Sequence, residues 1–146
     1  MSKANTWENG LQLLTFNNTT FAGVGDAAGL LKSAANGSLY VSLHTADPGE
    51  AGDQETSEDD YTGYGRVAVA RTAGGWTVAV GAVSNAAAVT FGACTVGTNA
   101  TTYFGVGTES TGAGILLYSG ALTASLSVSP GVTPSFAIGD LDVTED

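Results

Sequence analysis

The sequence predicts a mostly β protein, an antiparallel β-sandwich or jelly roll of about eight strands with a short N-terminal helix. Glycine accounts for 21 of the 146 residues and only 12% of the residues are charged, which suits short strands joined by tight turns. Short segments in which apolar and polar residues alternate recur along the chain, and turn-forming residues bound them. A small barrel is the alternative arrangement of such strands.

The first segment predicts the helix. Apolar residues repeat there at helical spacing, at Trp7, Leu11 and Leu14. Asn5 is placed to cap the helix, with Glu8 three residues later as in a capping box, and the helix is expected to end at residue 17 or 18. A second helical turn is predicted from Asp26 to Lys32, because an acid at its start and a base at its end suit the helix dipole.

The strands follow, since the period of the apolar residues drops to two at Ser38. The inward residues of this first strand are Leu39, Val41 and Leu43. A hairpin is predicted next, in which a strand from Arg66 to Thr72 turns at Gly74 and Gly75 into a second strand. The apolar residues of that second strand are Trp76, Val78 and Val80. Further strands are predicted at residues 88–91, 101–106, 115–119, 125–128 and 135–143.

The chain has the length of one domain, and it contains no fixed-period repeat and no long linker. We therefore expect residues 1–146 to form a single domain. In this domain a helical or extended N-terminal segment, residues 1–36, packs on a β domain formed by residues 37–146.

The charge of the chain excludes several classes of partner. Four basic residues face fourteen acidic ones, a formal net charge of -10, so the surface repels nucleic acid and anionic membranes. Cys94 is the single cysteine, so it predicts a buried thiol, no internal disulfide and no cysteine-based metal site. No apolar run is long enough to span a membrane, and we expect a soluble chain without a cofactor.

The densest local signal is the acidic segment from Asp47 to Asp60, which carries seven carboxylates. They belong to Asp47, Glu50, Asp53, Glu55, Glu58, Asp59 and Asp60. Calcium takes six to eight oxygen ligands and could bind here, although the spacing differs from that of an EF-hand. Crowded like charges repel one another, so a solvated or partner-binding loop is the favoured interpretation.

Two regions are predicted to contact a partner. The first offers the apolar residues Trp7, Leu11 and Leu14. The second offers charge and aromatic area at Asp47, Glu50, Asp53, Tyr61, Tyr64 and Arg66. Tyrosine and arginine are enriched at interfaces because they bury a large area and keep a polar end. The alternative for Tyr61 and Tyr64 is that their rings pack over the edge of the sheet.

The sequence offers no coherent set of catalytic residues. His44 is the only histidine, and we expect it to bond to a nearby backbone group or to Asp47. The chain has no G-x-S-x-G motif for a serine nucleophile. The string GVGDAA at residues 23–28 matches a dinucleotide-binding loop but lacks the surrounding βαβ unit. A non-enzyme is therefore predicted, and a hydrolase using carboxylates of the acidic segment is the remote alternative.

Four stretches carry a more specific signal. They are LYVSLHTADPGEAGDQETSEDDYTGYGRVAVAR (39–71), VSNAAAVTFGACTVGT (83–98), YFGVGTESTGAGILLYSGAL (103–122) and PGVTPSFAIGDLDVTED (130–146). Together they resemble a small family of structural proteins encoded by tailed bacteriophages, and LHTADPGEAGDQ is the most specific string. Members are described as phage structural proteins, sometimes as tail-fibre proteins. The resemblance supplies no catalytic residues.

The resemblance implies a virion protein, made in the cytoplasm of the bacterial host, with two possible roles. The favoured role is a decoration or cement protein that binds across subunits of the major capsid protein. The alternative is a tail-fibre or tail-tip component that binds a host receptor or carbohydrate through exposed aromatic residues such as Trp76, Tyr61 and Tyr64. A homo-oligomer, either a dimer or a trimer, and contacts with other virion proteins are expected in both cases.

Overall fold

The computed structural model describes residues 2–79 and 81–144, and within them it contains one helix and nine strands in antiparallel sheets. The helix is α1 (Asn5–Asn17). The strands are β1 (Ser38–His44), β2 (Val67–Ala70), β3 (Trp76–Ala79), β4 (Ala82–Asn85), β5 (Val89–Thr90), β6 (Asn99–Gly107), β7 (Leu116–Val128), β8 (Ser135–Phe136) and β9 (Asp142–Thr144). The predicted class, a mostly β antiparallel fold with a short N-terminal helix, is confirmed.

The chain divides into two compact units, each assembled from separate segments. The first unit comprises Met1–Ser38, Ala70–Ala88 and Phe136–Asp146. The second unit comprises Leu39–Val69 and Val89–Ser135. The prediction of one domain over residues 1–146, with residues 1–36 packed on residues 37–146, stays a prediction.

The core of the first unit forms where α1 packs on β3 and β4 of a three-stranded sheet with the order β3-β4-β9. Phe16 and Trp76 are fully buried and meet edge to face, with ring centroids 5.0 Å apart. Glu8 and Gln12 precede Phe16 at intervals of four residues and are buried with it. The inner face of α1 is therefore partly polar.

The predicted extent of α1 is confirmed, but its predicted cap is wrong. The carbonyl of Ala4 accepts two N–H groups of the first turn, so Ala4 occupies the N-cap position and Asn5 is already helical. At the other end Arg71 donates from Nη2 to the carbonyl of Leu14 at 2.7 Å and from Nε to that of Thr15 at 2.6 Å. A guanidinium at this end satisfies helix carbonyls that would otherwise have no partner.

The helical turn predicted at residues 26–32 is wrong. The carboxylate of Asp26 accepts the N–H of Gly29 at 3.0 Å, which closes a local turn instead of starting a helix. Gly29 has a φ of 69°, in the left-handed region. Phe21 and Leu30 then pair in an antiparallel bridge.

The hairpin predicted between residues 66–72 and the strand at Trp76 is also wrong. β3 pairs with β4, so that Trp76 lies opposite Asn85, while β2 lies beside β1. Only positions 80 and 81 join β3 to β4, and Gly81 adopts a φ of 75° that favours glycine in such a short return. Val80, assigned to the second strand of the predicted hairpin, lies outside the described residues.

The four-stranded sheet of the second unit has the order β2-β1-β6-β7. Leu43 of β1 lies opposite Phe104 of β6, and both side chains are buried. The inward residues predicted for β1 are all buried, as are Ser42 and His44 on its other face. β1 is therefore enclosed on both faces near its end, rather than half-buried.

Two strand boundaries differ from the predictions. The strands predicted at 115–119 and 125–128 are one strand, β7, whose pairing with β6 slips between them: Thr101 lies opposite Leu126, but Tyr103 lies opposite Ala121. Conversely, the strand predicted at 135–143 is divided into β8 and β9, with Gly139 at a φ of 81° between them.

Candidate functional site

The acidic segment from Asp47 to Asp60 folds back on the second unit. The Asp59 N–H donates to the carbonyl of Leu43, and the Gln54 N–H donates to that of Ala113. Four of the seven acids stay exposed on its outer side, namely Asp47, Glu50, Glu55 and Asp60. The expectation of a solvated loop therefore holds only for that outer side.

The inner side of the segment holds a fork-shaped ion pair. Arg66 donates from Nε and Nη2 to the two carboxylate oxygens of Glu58, each at 2.7 Å, and both side chains are largely buried. The Tyr64 hydroxyl donates to the same carboxylate at 2.7 Å and accepts the N–H of Leu43 at 3.1 Å. The bond to Glu58 raises the pKa of Arg66, and burial raises the pKa of Tyr64. The inward carboxylate of Glu58 thus accepts three hydrogen bonds, and the Arg66 guanidinium neutralises its charge.

Tyr61 belongs to a small apolar cluster of the same unit with Cys94 and Val128. Its hydroxyl donates to the carbonyl of Gly92 at 3.1 Å, and its ring meets that of Tyr64 edge to face at 5.4 Å. Burial raises the pKa of Tyr61 to about 12. The predicted burial of the Cys94 thiol is confirmed. Tyr61, Tyr64 and Arg66 therefore make contacts within the unit, and their role as partner contacts stays a prediction.

His44 is bonded to a backbone group, as predicted, but not to Asp47. Its Nδ1 lies 2.8 Å from the carbonyl of Thr56, so that nitrogen carries the proton, and Nε2 accepts the Ser42 hydroxyl at 2.8 Å. Burial lowers the pKa of His44. A serine bonded to a neutral histidine has the geometry of a nucleophile and its base. Both side chains are fully buried. Gly105 packs directly against them, since a Cβ at this position would lie 2.5 Å from Ser42 Oγ and 2.7 Å from His44 Nε2.

Asp59 is the buried carboxylate of this segment that lacks a cation. One oxygen accepts the hydroxyl of Thr101, and the other oxygen has no partner among the described residues. Burial raises the pKa of Asp59, because the charged form loses the hydration it has in water.

Gln54 is a second anchor of the segment that the sequence did not indicate. Its side chain is fully buried, its Nε2 donates to the carbonyl of Glu109 at 3.2 Å, and its Oε1 accepts the Glu109 N–H at 2.9 Å. Gly107 and Gly114 make the space, since a Cβ at either would lie 2.2 to 2.3 Å from the Gln54 side chain. An amide among seven carboxylates offers no distinctive pattern in a single sequence.

The remaining acids of the predicted interface have local roles. Asp47 accepts the N–H of Gly49 at 2.9 Å, and Asp53 accepts the N–H and the hydroxyl of Thr56, each at 3.0 Å. Glu50 is exposed. Within residues 2–79 and 81–144, no three His, Cys, Asp or Glu side chains converge closely enough to hold a metal ion. No helix in this part of the chain has the length and apolar character needed to cross a bilayer.

The predicted N-terminal contact residues lie away from the inner face of α1. Trp7 is 38% exposed, and Leu11 and Leu14 are half-buried. The Trp7 ring meets that of Phe21 at a tilt, with centroids 5.5 Å apart. An apolar stripe on α1 is thus partly accessible, while polar Gln12 occupies the buried side.

These contacts describe a small acidic β protein in which charged and amide side chains hold the protein's own loops in place. The family described as "Podophage GP4 fiber I protein gp80" matches residues 4–144, and the chain belongs to this family. No curated protein matches the chain. The predictions of a bacteriophage structural protein and of a virion component are confirmed at this level. Association with other virion proteins follows from membership.

Proposed function

We propose that the chain is a structural building block of a podophage fibre, which works by packing against other virion proteins. The observation that carries this proposal is the family match over residues 4–144, because its description names a fibre protein. The Ser42–His44 pair is not part of the proposal, because both side chains are fully buried.

The braced acidic segment supports a structural role. In pre-organised complexes the backbone of the interface moves little when the partner binds, so a structural protein needs loops with a fixed conformation. Glu58 with Arg66, and Gln54 with Glu109, tie the segment at two points to other parts of the second unit. The exposed acids on its outer side are then presented by a fixed backbone.

Two surfaces are proposed as contacts with other virion proteins. The apolar one is the stripe of Trp7, Leu11 and Leu14 on α1. The acidic one is the outer side of the segment around Asp47, Glu50 and Asp53. The less exposed side chains of Tyr61, Tyr64 and Arg66 are proposed as part of the same contact. The second unit contains eight acidic residues and one basic residue, Arg66, so a partner at this surface should present lysine or arginine.

The apolar contact is tested by Trp7→Ala in the phage genome. We expect loss of the protein from purified particles, because tryptophan anchors dominate interface energies. Leu31→Ala is the matched control, since Leu31 is a 69% exposed apolar residue of the same unit. Normal incorporation of both variants would exclude the α1 stripe as a contact.

A capsid decoration or cement protein that binds across subunits of the major capsid protein is the second candidate. It is favoured by the lack of a fixed-period repeat within residues 1–146 and by their net charge of -10, which keeps a protein made in many copies soluble before assembly. The receptor- or carbohydrate-binding variant of the fibre role is not favoured. Trp76 is fully buried and Tyr61 is 3% exposed, so neither ring can stack on a sugar.

Particles that lack the protein separate the two candidates. Loss of a fibre component should leave capsids as resistant to heat and low ionic strength as the wild type while host adsorption fails. Loss of a cement protein should have the opposite result. A particle reconstruction then locates the density on the tail or on the shell, and density on the shell would overturn the fibre proposal.

A further inference from the structure

Asparagine directly precedes glycine at two places in the chain, Asn9 before Gly10 and Asn36 before Gly37. At such a pair the backbone nitrogen of the glycine can attack the side-chain carbonyl carbon of the asparagine. A glycine favours this step because it has no Cβ to shield the nitrogen and its backbone turns freely. Both pairs belong to the first compact unit, but their surroundings differ.

The second pair is open to the reaction. Asn36 and Gly37 are exposed and lie just before β1. Within residues 2–79 and 81–144 the Gly37 N–H has no hydrogen-bond acceptor, so no bond must break before its nitrogen attacks. A Cβ at Gly37 would meet nothing within 4 Å, and its φ of 63° lies in the left-handed region. The nitrogen and the side-chain carbonyl that must meet therefore belong to neighbouring residues in open space.

The first pair is closed to it. Asn9 and Gly10 lie inside α1, where Gly10 is buried. Within a helix the N–H of each residue bonds to the carbonyl four residues earlier, and the attack would break that bond. A Cβ at Gly10 would lie 2.4 Å from the ring of Phe21, so this turn of the helix is closely packed. A reaction at Asn9 would require α1 to open first.

We propose that Asn36 is a site of spontaneous deamidation, at which the chain modifies itself with water as the only co-reactant. The Gly37 nitrogen loses its proton to the solvent and bonds to Cγ of Asn36, while the bond from Cγ to Nδ2 breaks and Nδ2 leaves as ammonia. Water then opens the five-membered succinimide ring. Hydrolysis at Cγ gives aspartate. Hydrolysis at the main-chain carbonyl gives isoaspartate, in which the backbone runs through the side chain.

Hydrogen-bond donors already lie beside the oxygens that become the new carboxylate. Asn18 donates from Nδ2 to Oδ1 of Asn36 at 3.2 Å, and the aspartate product retains this oxygen. Arg71 donates from Nη1 to the main-chain carbonyl of Asn36 at 3.4 Å, and that oxygen belongs to the free carboxylate of isoaspartate. Each product thus places its charge next to a donor. The modification makes the formal net charge one unit more negative than -10. The inference does not depend on where the protein lies in the virion.

The test is incubation of the purified chain at neutral and at mildly alkaline pH, followed by mass spectrometry of the peptides that contain Asn36 and Asn9. We expect Asn36 to convert at a rate within about tenfold of that of the synthetic peptide SAANGSL, residues 33–39, because exposed segments open at little cost. The rate should rise with pH, since the nitrogen attacks only after losing its proton. Conversion at Asn9 should be at least about tenfold slower, because α1 must open first.

Gly37→Asn is the control variant, since asparagine tolerates a left-handed backbone and its Cβ shields the nitrogen. It should slow the conversion of Asn36, and circular dichroism and the melting temperature confirm that its fold is retained. Chromatography should separate two products, because direct hydrolysis of the side-chain amide gives aspartate alone. An intact Asn36 after the peptide has converted, equal rates at Asn36 and Asn9, aspartate as the single product, or an unchanged rate in Gly37→Asn would overturn the proposal.

Discussion

The acidic segment of the second unit and the helix α1 of the first unit both carry polar side chains into the interior, with different outcomes. In the segment, Glu58 meets Arg66 and Tyr64, and both ends of the Gln54 amide are bonded. In the helix, Gln12 is fully buried and neither end of its amide has a partner among the described residues. A buried polar group stabilises a fold only when it is paired, so the two regions should respond oppositely to loss of polarity.

The largest effect is expected from Arg66→Met, which removes the cation from the paired region. Glu58 would stay buried with its charge and keep the Tyr64 hydroxyl as a donor. We expect a loss of about 3 kcal/mol in the free energy of unfolding, measured by urea denaturation.

The double variant Glu58→Gln, Arg66→Met is the control for this loss. It removes both charges, so it should be distinctly more stable than Arg66→Met alone. An equal loss in both variants would mean that packing, and not an unpaired carboxylate, determines the effect. A double-mutant cycle that includes Glu58→Gln gives the coupling between the two side chains.

A smaller loss is expected from Gln54→Leu. The substitution preserves volume but leaves the N–H and the carbonyl of Glu109 without the Gln54 amide. We expect a loss of about 2 kcal/mol in the free energy of unfolding. Glu55→Leu, at the exposed neighbour, is the matched control and should change stability by less than about 0.5 kcal/mol. Similar values for the two variants would show that the amide bonds of Gln54 contribute nothing.

Removing the unpaired polar side chain of α1 should instead raise the free energy of unfolding. Gln12→Met keeps the length of the side chain and removes an amide that lacks partners. We expect a gain of about 1 kcal/mol and a rise of a few degrees in the melting temperature. A loss of stability would mean that the amide does have a partner, such as an ordered water. Leu11→Met, at the adjacent half-buried position, controls for helix propensity.

The helix shows which features of the fold a single sequence can predict. Its extent follows from the spacing of Trp7, Leu11 and Leu14, and β1 follows from the alternation of its apolar residues. The spacing does not reveal which face is buried, because Phe16 packs on Trp76 and carries Gln12 inward with it. That choice depends on a partner more than fifty residues away in the sequence.

Strand pairing and the site were harder to predict for the same reason. The glycine pair at 74–75 and the return at Gly81 are both good turn signals, and only tertiary contacts decide that β3 pairs with β4. The seven acids are evident in the sequence, but which of them turn inward depends on Arg66, just before β2, and on Thr101 of β6. Gln54 depends on space left by two distant glycines. Alternation and turn chemistry are local, whereas these pairings are not.

Asp59 is the exception within the paired segment, because one of its oxygens lacks a partner. Burial raises its pKa, so the folded state holds the proton more tightly than the unfolded state. The stability that this proton gives is present at low pH and is lost as the pH rises through the raised pKa. Asp59→Asn should therefore be more stable than the wild type at neutral pH, with a difference that shrinks toward pH 4. His44, whose pKa is lowered by burial, acts in the opposite direction below about 6.5 in both proteins. The Asp59 charge raises the pKa of His44, so part of the difference between the two proteins below that pH belongs to His44.

The difference between the two unfolding curves, measured from pH 4 to pH 8, decides whether Asp59 is an unpaired group like Gln12. Asp60→Asn is the control, since Asp60 is the exposed neighbour and accepts the side chain of Asn99 at 3.1 Å. It should shift stability by less than about 0.5 kcal/mol across the range. If Asp59→Asn is less stable than the wild type at every pH, its carboxylate is paired after all. The hydroxyl of Thr101, which donates to the other oxygen of Asp59, would then stabilise the ionised Asp59 carboxylate, as Arg66 stabilises that of Glu58.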